Sequence, residues 1–252
     1  MMKRLYVAPH ADDVALSCGG AVAIDARTNS PTIVTVFAGQ PTGDLGEFAA
    51  LQHERWGTSS EGVMDLRRDE DRCAAQALGA NVTPVWLDEL DAIYRDARYD
   101  SDDMLFGKIL DTDMDTISRV ADLLGAFEAD ELVVPLAVGQ HVDHQIVLRA
   151  ARRVAARGVS VWAYADIPYA LDRRALSARI GSGVTREVRL VLLDDGAFER
   201  KCEAIACYAS QIPVIFRDRD DYRLELDRFH RWIGGGQRAE VLWRIVPPRV
   251  TR

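Results

Sequence analysis

Hydrophobic and polar positions along the chain form blocks that predict strands followed by helices. Short runs of apolar and β-branched residues, such as Arg4–Ala8 and Thr32–Phe37, are typical of buried strands. Glu61–Leu78 has small apolar residues at helical spacing and ends at Gly79, which predicts a helix with a glycine stop. The remaining predicted strands are Pro84–Leu87, Glu131–Pro135, Val159–Tyr164, Arg189–Leu193 and Val241–Val246. The remaining predicted helices start at Asp13, cover Ile117–Phe127 and Ala197–Ser210, and follow the fourth strand through Ala156.

This alternation predicts the fold class. Strands that alternate with helices are joined by crossovers, which pair the strands in parallel. We therefore expect an α/β fold with a Rossmann-like, mostly parallel sheet and helices on both faces, three layers in all. The 252 residues contain no internal repeat, low-complexity segment or linker rich in Pro, Gly or Ser, so a single domain over 1–252 is expected.

Three polar segments interrupt the pattern. Residues 40–58 are predicted to form a loop, and the aspartate-rich residues 96–115 a surface excursion. Long excursions often carry function, so 96–115 is consistent with a lid as well as with a solvated charged surface. The segment 212–236 contains an aromatic-rich stretch and is consistent with a lip around a pocket or with an oligomer contact.

Composition excludes several classes of protein. The net charge of −8 disfavours binding to nucleic acid or to an anionic membrane surface. No stretch approaches the ~18 apolar residues of a membrane span, and no signal peptide is recognisable, so a cytoplasmic protein is expected. The four cysteines lack the spacing of a zinc finger and are expected to be reduced thiols in or near the core.

Two polar clusters follow predicted strands and are the candidates for chemistry. Residues 9–13 (PHADD) follow the first strand, and residues 141–144 (HVDH) follow the fourth. Open parallel sheets bind ligands at the carboxyl ends of their strands, so neighbouring strand ends would bring the two clusters together.

The residue types in these clusters suit a catalytic zinc site. Such a site takes three nitrogen or oxygen ligands from the protein and leaves one position open. His10 and Asp13, three residues apart where a strand enters a helix, and His144 form a His-His-Asp set. Zn²⁺ there would polarise a carbonyl and lower the pKa of water.

Neighbouring residues complete a hydrolytic site. Asp12 is the candidate general base, and His141 would either stabilise an oxyanion or protonate a leaving amine. Asp143 would orient a ligating imidazole. Each residue alone has an ordinary alternative, since Asp12 or Asp13 is also a suitable helix cap. The pair Gly19-Gly20 is weak evidence for a nucleotide loop because no GxGxxG follows the first strand.

The stretch PHADDVALSCGG resembles the opening motif of the LmbE/PIG-L family of zinc-dependent N-deacetylases, and HVDH resembles that family's His-x-Asp-His motif. Weaker similarities run along almost the whole chain. They comprise Arg67 and Glu70 with Leu78-Gly79, Asp91, the DIPY sequence at 166–169, and Lys201, Tyr208 and Ser210-Gln211.

The resemblance implies a zinc-dependent hydrolase that removes an acyl group, usually acetyl, from an amino sugar on a small molecule or glycoconjugate. By this similarity His10, Asp13 and His144 are the zinc ligands, and Asp12 and His141 are the catalytic residues. The residues expected to contact substrate are Arg67, Asp91, Asp166 and Tyr169. Two positions depart from the family pattern: Ala11 replaces a common proline, and Val14 stands where many members have glutamate.

Several alternatives stay open at this point. A metal-dependent amide hydrolase acting on a conjugate without a sugar, and a metal- or ligand-binding protein without turnover, would have the same motifs. Arg67 is also consistent with a solvated helix arginine paired with Glu70 or Asp71. His53 is expected at the surface and His230 in packing, and a homo-oligomer is compatible with the sequence.

Overall fold

Seven strands of the described chain form one sheet. The computed structural model describes residues 2–43, 45–57, 62–181, 187–217 and 221–246. The strands are β1 (Arg4–Ala8), β2 (Thr32–Thr35), β3 (Thr83–Trp86), β4 (Glu131–Pro135), β5 (Ser160–Tyr164), β6 (Val188–Leu192) and β7 (Ala239–Arg244). Their order in the sheet is β3-β2-β1-β4-β5-β7-β6.

The first five strands run in parallel, and β7 runs in the opposite direction. β1 pairs in parallel with both β2 and β4, with Leu5 opposite Thr32 on one side and Leu132 on the other. β7 is antiparallel to β5 and to β6. The strand order reverses between β1 and β4, so the loops after these two strands diverge and leave a crevice at the carboxyl edge of the sheet.

Helices fill the connections between the strands and cover the sheet. They are α1 (Asp13–Asp25), α2 (Glu47–Arg55), α3 (Val63–Leu78), α4 (Ala92–Arg95), α5 (Asp102–Leu105), α6 (Asp113–Gly125), α7 (Val142–Ala155), α8 (Arg173–Gly181), α9 (Asp195–Ala206), α10 (Ile212–Ile215) and α11 (Tyr222–Ile233), with a 3₁₀ turn at Tyr169–Leu171. α1, α3 and α9 pack together as one group, and α6 and α7 as another. The predicted three-layer α/β fold is confirmed.

The burial of the parallel strands β1 and β4 agrees with their central position in the sheet. β4 is buried at every residue, and β1 at four of its five, as expected for strands covered by helices on both faces. α7 presents its apolar positions at spacings of three and four residues, including Val147, Ala150, Ala151 and Val154, and these enter the same core.

The predicted loop and excursion contain structure that the sequence pattern did not indicate. Helix α2 lies inside 40–58, and its turns bury Ala49, Gln52 and His53, so the expectation that His53 lies at the surface is wrong. Tyr99 and Leu105 of the excursion 96–115 are buried in a small hydrophobic cluster, so this segment is packed and is not simply a solvated charged surface. Positions 44, 58, 61 and 218–220 of the predicted segments lie outside the described residues.

The expectation of four reduced thiols is also wrong. Cys73 on α3 and Cys207 after α9 form a disulfide, with their Cα atoms 5.8 Å apart. Their separation of 134 residues gave no local signal, because only the packing of α3 against α9 brings them together. Cys18 and Cys202 are buried free thiols, as expected.

Candidate metal centre and active site

The two polar clusters meet at the crevice between β1 and β4. The first cluster leaves β1 and starts α1 at Asp13, and the second leaves β4 and starts α7 at Val142. The ring centroids of His10 and His144 are 5.6 Å apart, and those of His10 and His141 are 4.9 Å apart. The expected convergence of the two loops is therefore observed.

Asp13 lies between the two histidines predicted as ligands. One carboxylate oxygen is 3.6 Å from Nδ1 of His10, and the other is 3.4 Å from Nε2 of His144. Ligand atoms around a tetrahedral ion with bonds of 2.0–2.1 Å lie roughly 3.3 Å from one another. The two distances from Asp13 to the histidines are therefore compatible with a metal ion bound between these side chains.

Buried carboxylates hold the opposite nitrogen of each imidazole. His10 Nε2 is 3.0 Å from Asp143 Oδ2 and 3.3 Å from Asp91 Oδ2, and His144 Nδ1 is 2.7 Å from Asp166 Oδ1. Each ring can donate one N–H to a carboxylate, so the other nitrogen, which faces Asp13, is the one available to bind a metal ion. This is the outer-shell arrangement that metal-binding histidines require.

A second set of side chains offers metal ligands at the same position. Ring nitrogens of His10, His141 and His144 also lie within 4.8 Å of one another. His141, however, caps α7 and accepts the backbone N–H of Asp143 on Nδ1. Its neutral ring therefore carries the proton on Nε2, which makes His141 a hydrogen-bond donor. Asp13 fits the third ligand position better, since it contacts both other ligands.

The electrostatics of the centre follow from burial among opposite charges. Burial would lower the pKa of His10, but the carboxylates of Asp91, Asp13 and Asp143 raise it well above its usual value. Burial raises the pKa of Asp13, but His144 and His10 together bring it down to about 2. The site thus pairs an ionised carboxylate with two imidazoles.

Asp12 has a backbone and an environment that set it apart from Asp13. Its φ of 99° is in the left-handed region, a conformation that is uncommon for non-glycine residues and that the surrounding structure must hold in place. Nη2 of Arg67 is 3.4 Å from its Oδ2 and donates to the carbonyl of Ala11 at 2.7 Å. Burial raises the pKa of Asp12 to about 8, although Arg67 acts in the opposite direction.

His141 stays neutral in this environment. Burial, followed by the neighbouring His10, lowers its pKa to about 3. A neutral imidazole with Nε2–H directed to the site is suited to donate a hydrogen bond to developing negative charge.

A cavity of about 920 Å³ opens over these residues. Three of the four predicted substrate residues, Arg67, Asp91 and Tyr169, line it. Arg67 is not the solvated arginine of the alternative interpretation, because it is buried and contacts the loop that carries Asp12. Asp91 both caps α4 and faces His10.

Asp166 does not occupy the predicted position. It is fully buried, does not belong to the described lining of the cavity, and uses its oxygens for His144 and for the backbone N–H of Val138 at 3.0 Å. In place of the predicted contact with substrate, the structure shows Asp166 in contact with His144, one of the predicted metal ligands. The role expected for Asp143, orientation of an imidazole, agrees with its contact to His10.

Two residues of the site were missed by sequence reasoning. Arg95 donates to Asp143 at 2.8 Å and to Asp113 at 2.8 Å, and so neutralises the buried carboxylate behind His10. Phe106 is 39% exposed, lines the cavity, and stands edge-to-face with His141 at 5.3 Å between centroids. Phe106 lies within the aspartate-rich excursion 96–115, and Arg95 directly precedes it.

Comparison with known proteins gives the family. Residues 5–155 match the family described as PIG-L: GlcNAc-PI de-N-acetylase. The chain belongs to the PIG-L family. It is 29% identical over 226 residues to 2'-N-acetylparomamine deacetylase of Streptomyces fradiae, covering 83% of this chain and 73% of that protein. The protein of the same name from Niallia circulans is 28% identical over 188 residues, 66% of each chain.

Solved structures share the fold of this PIG-L family member. A zinc-inhibited form of teicoplanin deacetylase has a TM-score of 0.83 at 24% identity, covering 99% of this chain and 100% of that one. The A40926 pseudoaglycone deacetylase has a TM-score of 0.77 at 25% identity, covering 98% of each. A 4-carboxy-2-hydroxymuconate hydratase, at 20% identity and a TM-score of 0.60, covering 100% of this chain and 99% of that one, shows that the fold alone does not specify amide hydrolysis.

The assignment of the chain to a family and to a class of activity therefore rests on the family match. It confirms the predicted family and, with the relatives named as deacetylases, the prediction that the chain is a hydrolytic N-deacetylase. No helix among the described residues is long and apolar enough to cross a membrane.

Proposed function

We propose that the chain is a zinc-dependent deacetylase that removes the N-acetyl group from an amino sugar carried by a small molecule or glycoconjugate. The observation that carries this proposal is the convergence of His10 Nδ1, Asp13 and His144 Nε2, at 3.6 and 3.4 Å, with each imidazole backed by a buried carboxylate. When bound there, zinc supplies the Lewis acidity that polarises the amide carbonyl and lowers the pKa of water.

Asp12 acts as the general base and accepts a proton from the attacking water. Arg67 holds it in place, since the guanidinium bridges the Asp12 carboxylate and the Ala11 carbonyl. A cation at the adjacent ligands favours the ionised form of Asp12, against the effect of burial.

His141 acts on the carbonyl oxygen of the amide. Its Nε2–H donates a hydrogen bond to the negative charge that develops there. The proton that Asp12 takes from water passes to the leaving nitrogen, so that the products are acetate and a free amine. The hydrogen bond from the Asp143 backbone to Nδ1 keeps the proton on the reactive nitrogen.

The substrate proposal rests on the relatives and on the shape of the cavity. The relatives are named for N-acetylparomamine, teicoplanin and A40926 pseudoaglycone. A volume of about 920 Å³ exceeds what a monosaccharide fills and suits a sugar with an attached group. We assign Asp91, Tyr169 and Phe106 as substrate contacts.

Metal analysis and an activity screen test this function. Purified protein is expected to contain zinc and to release amine from a panel comprising an N-acetylated aminoglycoside fragment, a glycopeptide pseudoaglycone and N-acetylglucosamine. A chelator should abolish the release, and zinc should restore it. Release that persists after complete metal removal, or no release from any N-acetyl amino sugar, would overturn the proposal.

The ligand assignment has its own test. Asp13→Ala and His144→Ala are expected to lose zinc, whereas His141→Ala should keep zinc and lose turnover. Loss of zinc in His141→Ala with retention in Asp13→Ala would replace the proposed set by three histidines.

A further inference from the structure

A buried ion pair lies against the middle of helix α1, outside the described lining of the cavity. Lys201 on α9 is fully buried and Glu240 on β7 is 3% exposed, and Lys201 Nζ is 2.6 Å from Glu240 Oε1. Burial of two charges costs several kcal/mol, and apolar side chains in their place often give equal stability. The pair is therefore poorly explained by stability alone.

The carboxylate of this pair caps a break in α1. Cys18 leaves helical geometry, with φ −139° and ψ 24°. A helix that restarts after a break has N–H groups without partners in its own backbone. Glu240 accepts two of them, from Gly20 at 3.1 Å and from Ala21 at 2.6 Å, and its negative charge suits the positive end of the second segment.

The pair Gly19-Gly20 permits this contact. A Cβ on Gly20 would lie 2.7 Å from a methyl carbon of Leu193 and 3.1 Å from Glu240 Oε1, and a Cβ on Gly19 would lie 3.3 Å from Cγ of Lys201. Because these two glycines have no side chain, the ion pair can lie close to the backbone of α1.

The first segment of α1, residues 13–17, contains a proposed ligand at one end and is connected to a second ligand through other residues at its other end. It begins with the ligand Asp13 and ends with Ser17, whose hydroxyl accepts the backbone N–H of Ile167 at 3.1 Å. Ile167 follows Asp166, the partner of His144. The angle at the break therefore sets the position of one ligand directly and of a second ligand through Asp166.

We infer that Glu240, neutralised by Lys201, is a positioning residue for the metal site, because it fixes the break in α1 and with it the direction of residues 13–17. This inference rests on the proposed zinc site. Loss of the Glu240 charge should weaken zinc binding although Glu240 does not touch the ligands.

The test compares Glu240→Gln with Glu131→Gln. Glu131 is the matched control, since it is buried and forms an ion pair with Arg4 at the opposite end of β4 from the site. Zinc affinity is measured by competition with a chelating dye, and Tm is measured on the metal-free proteins. Both variants should lose stability, and only Glu240→Gln should bind zinc more weakly, by about 10-fold, the lower end of effects on outer-shell residues.

A smaller substitution provides a second test in case Glu240→Gln does not fold. Ser17→Ala removes only the hydroxyl that binds Ile167, and it should also weaken zinc binding with little change in Tm. Unchanged zinc affinity in Glu240→Gln, or in Ser17→Ala if Glu240→Gln does not fold, would overturn the inference. Absence of zinc binding in the unsubstituted protein would instead reject the proposed function.

Discussion

Asp166 Oδ1 lies 2.7 Å from His144 Nδ1, and this contact ties the end of β5 to the helix that follows β4. Both side chains are buried, so no water competes for the hydrogen bond. The carboxylate fixes the tautomer of His144 and directs Nε2 to Asp13 at 3.4 Å. A residue that the sequence suggested as a substrate contact thus supports the metal ligand.

Asp166→Asn is expected to lower zinc affinity by about 10- to 100-fold, the usual effect of losing an outer-shell carboxylate. An amide is a weaker acceptor and makes the ligating nitrogen of His144 less basic. Competition with a chelator measures the change. Asp122→Asn, an exposed carboxylate paired with Arg157, is the control and should bind zinc normally. Equal affinities in the two variants would contradict the role given to Asp166.

Arg67→Gln is expected to shift the acid limb of the pH profile of kcat/KM to higher pH. Asp12 is active as a base when ionised, so activity falls as pH drops through its pKa. Burial raises that pKa and Arg67 lowers it, so removal of the guanidinium charge raises it further. A uniform decrease in rate at every pH, with the limb unmoved, would show that Arg67 does not act on the ionisation of Asp12.

The proposed metal ligands could be selected from the sequence because their signal is local. His10 and Asp13 occupy one turn after a strand, and His144 occupies the matching turn after β4, so strand order alone brings them together. The residues that support the ligands were not predictable in the same way. Asp143 reaches Arg95 across 48 residues, and Asp166 reaches His144 across 22, through contacts that depend on tertiary packing.

The same physical reason explains which features of the fold could not be predicted from the sequence. Helix α2 is polar, with little amphipathic pattern, and its position is fixed by three buried side chains, so composition indicated a loop. The antiparallel position of β7 depends on its pairing with both β5 and β6, which no property of its own sequence specifies.

Phe106→Ala is expected to raise KM for the amino-sugar substrate roughly 10-fold, the effect of losing about 1.4 kcal/mol of apolar contact. The phenyl ring is 39% exposed beside His141 and Tyr169 and is held by the buried Leu105 that precedes it. Steady-state kinetics measure the change. Trp232→Ala removes an aromatic side chain of equal exposure away from the described cavity lining and should leave KM unchanged. A decrease in kcat with unchanged KM would instead show that Phe106 acts by positioning His141.

Cys73→Ser is expected to lower the free energy of unfolding by about 2–4 kcal/mol under oxidising conditions, because the cross-link constrains the unfolded chain. The disulfide joins α3, which carries Arg67, to the turn after α9, which precedes Gln211 in the cavity wall. Denaturant unfolding with and without a reductant measures the effect. The reductant should destabilise the unsubstituted protein to the level of Cys73→Ser and have no further effect on the variant. Equal stability of the two proteins without reductant, or titration of four free thiols in the unsubstituted protein, would show that Cys73 and Cys207 do not form a disulfide.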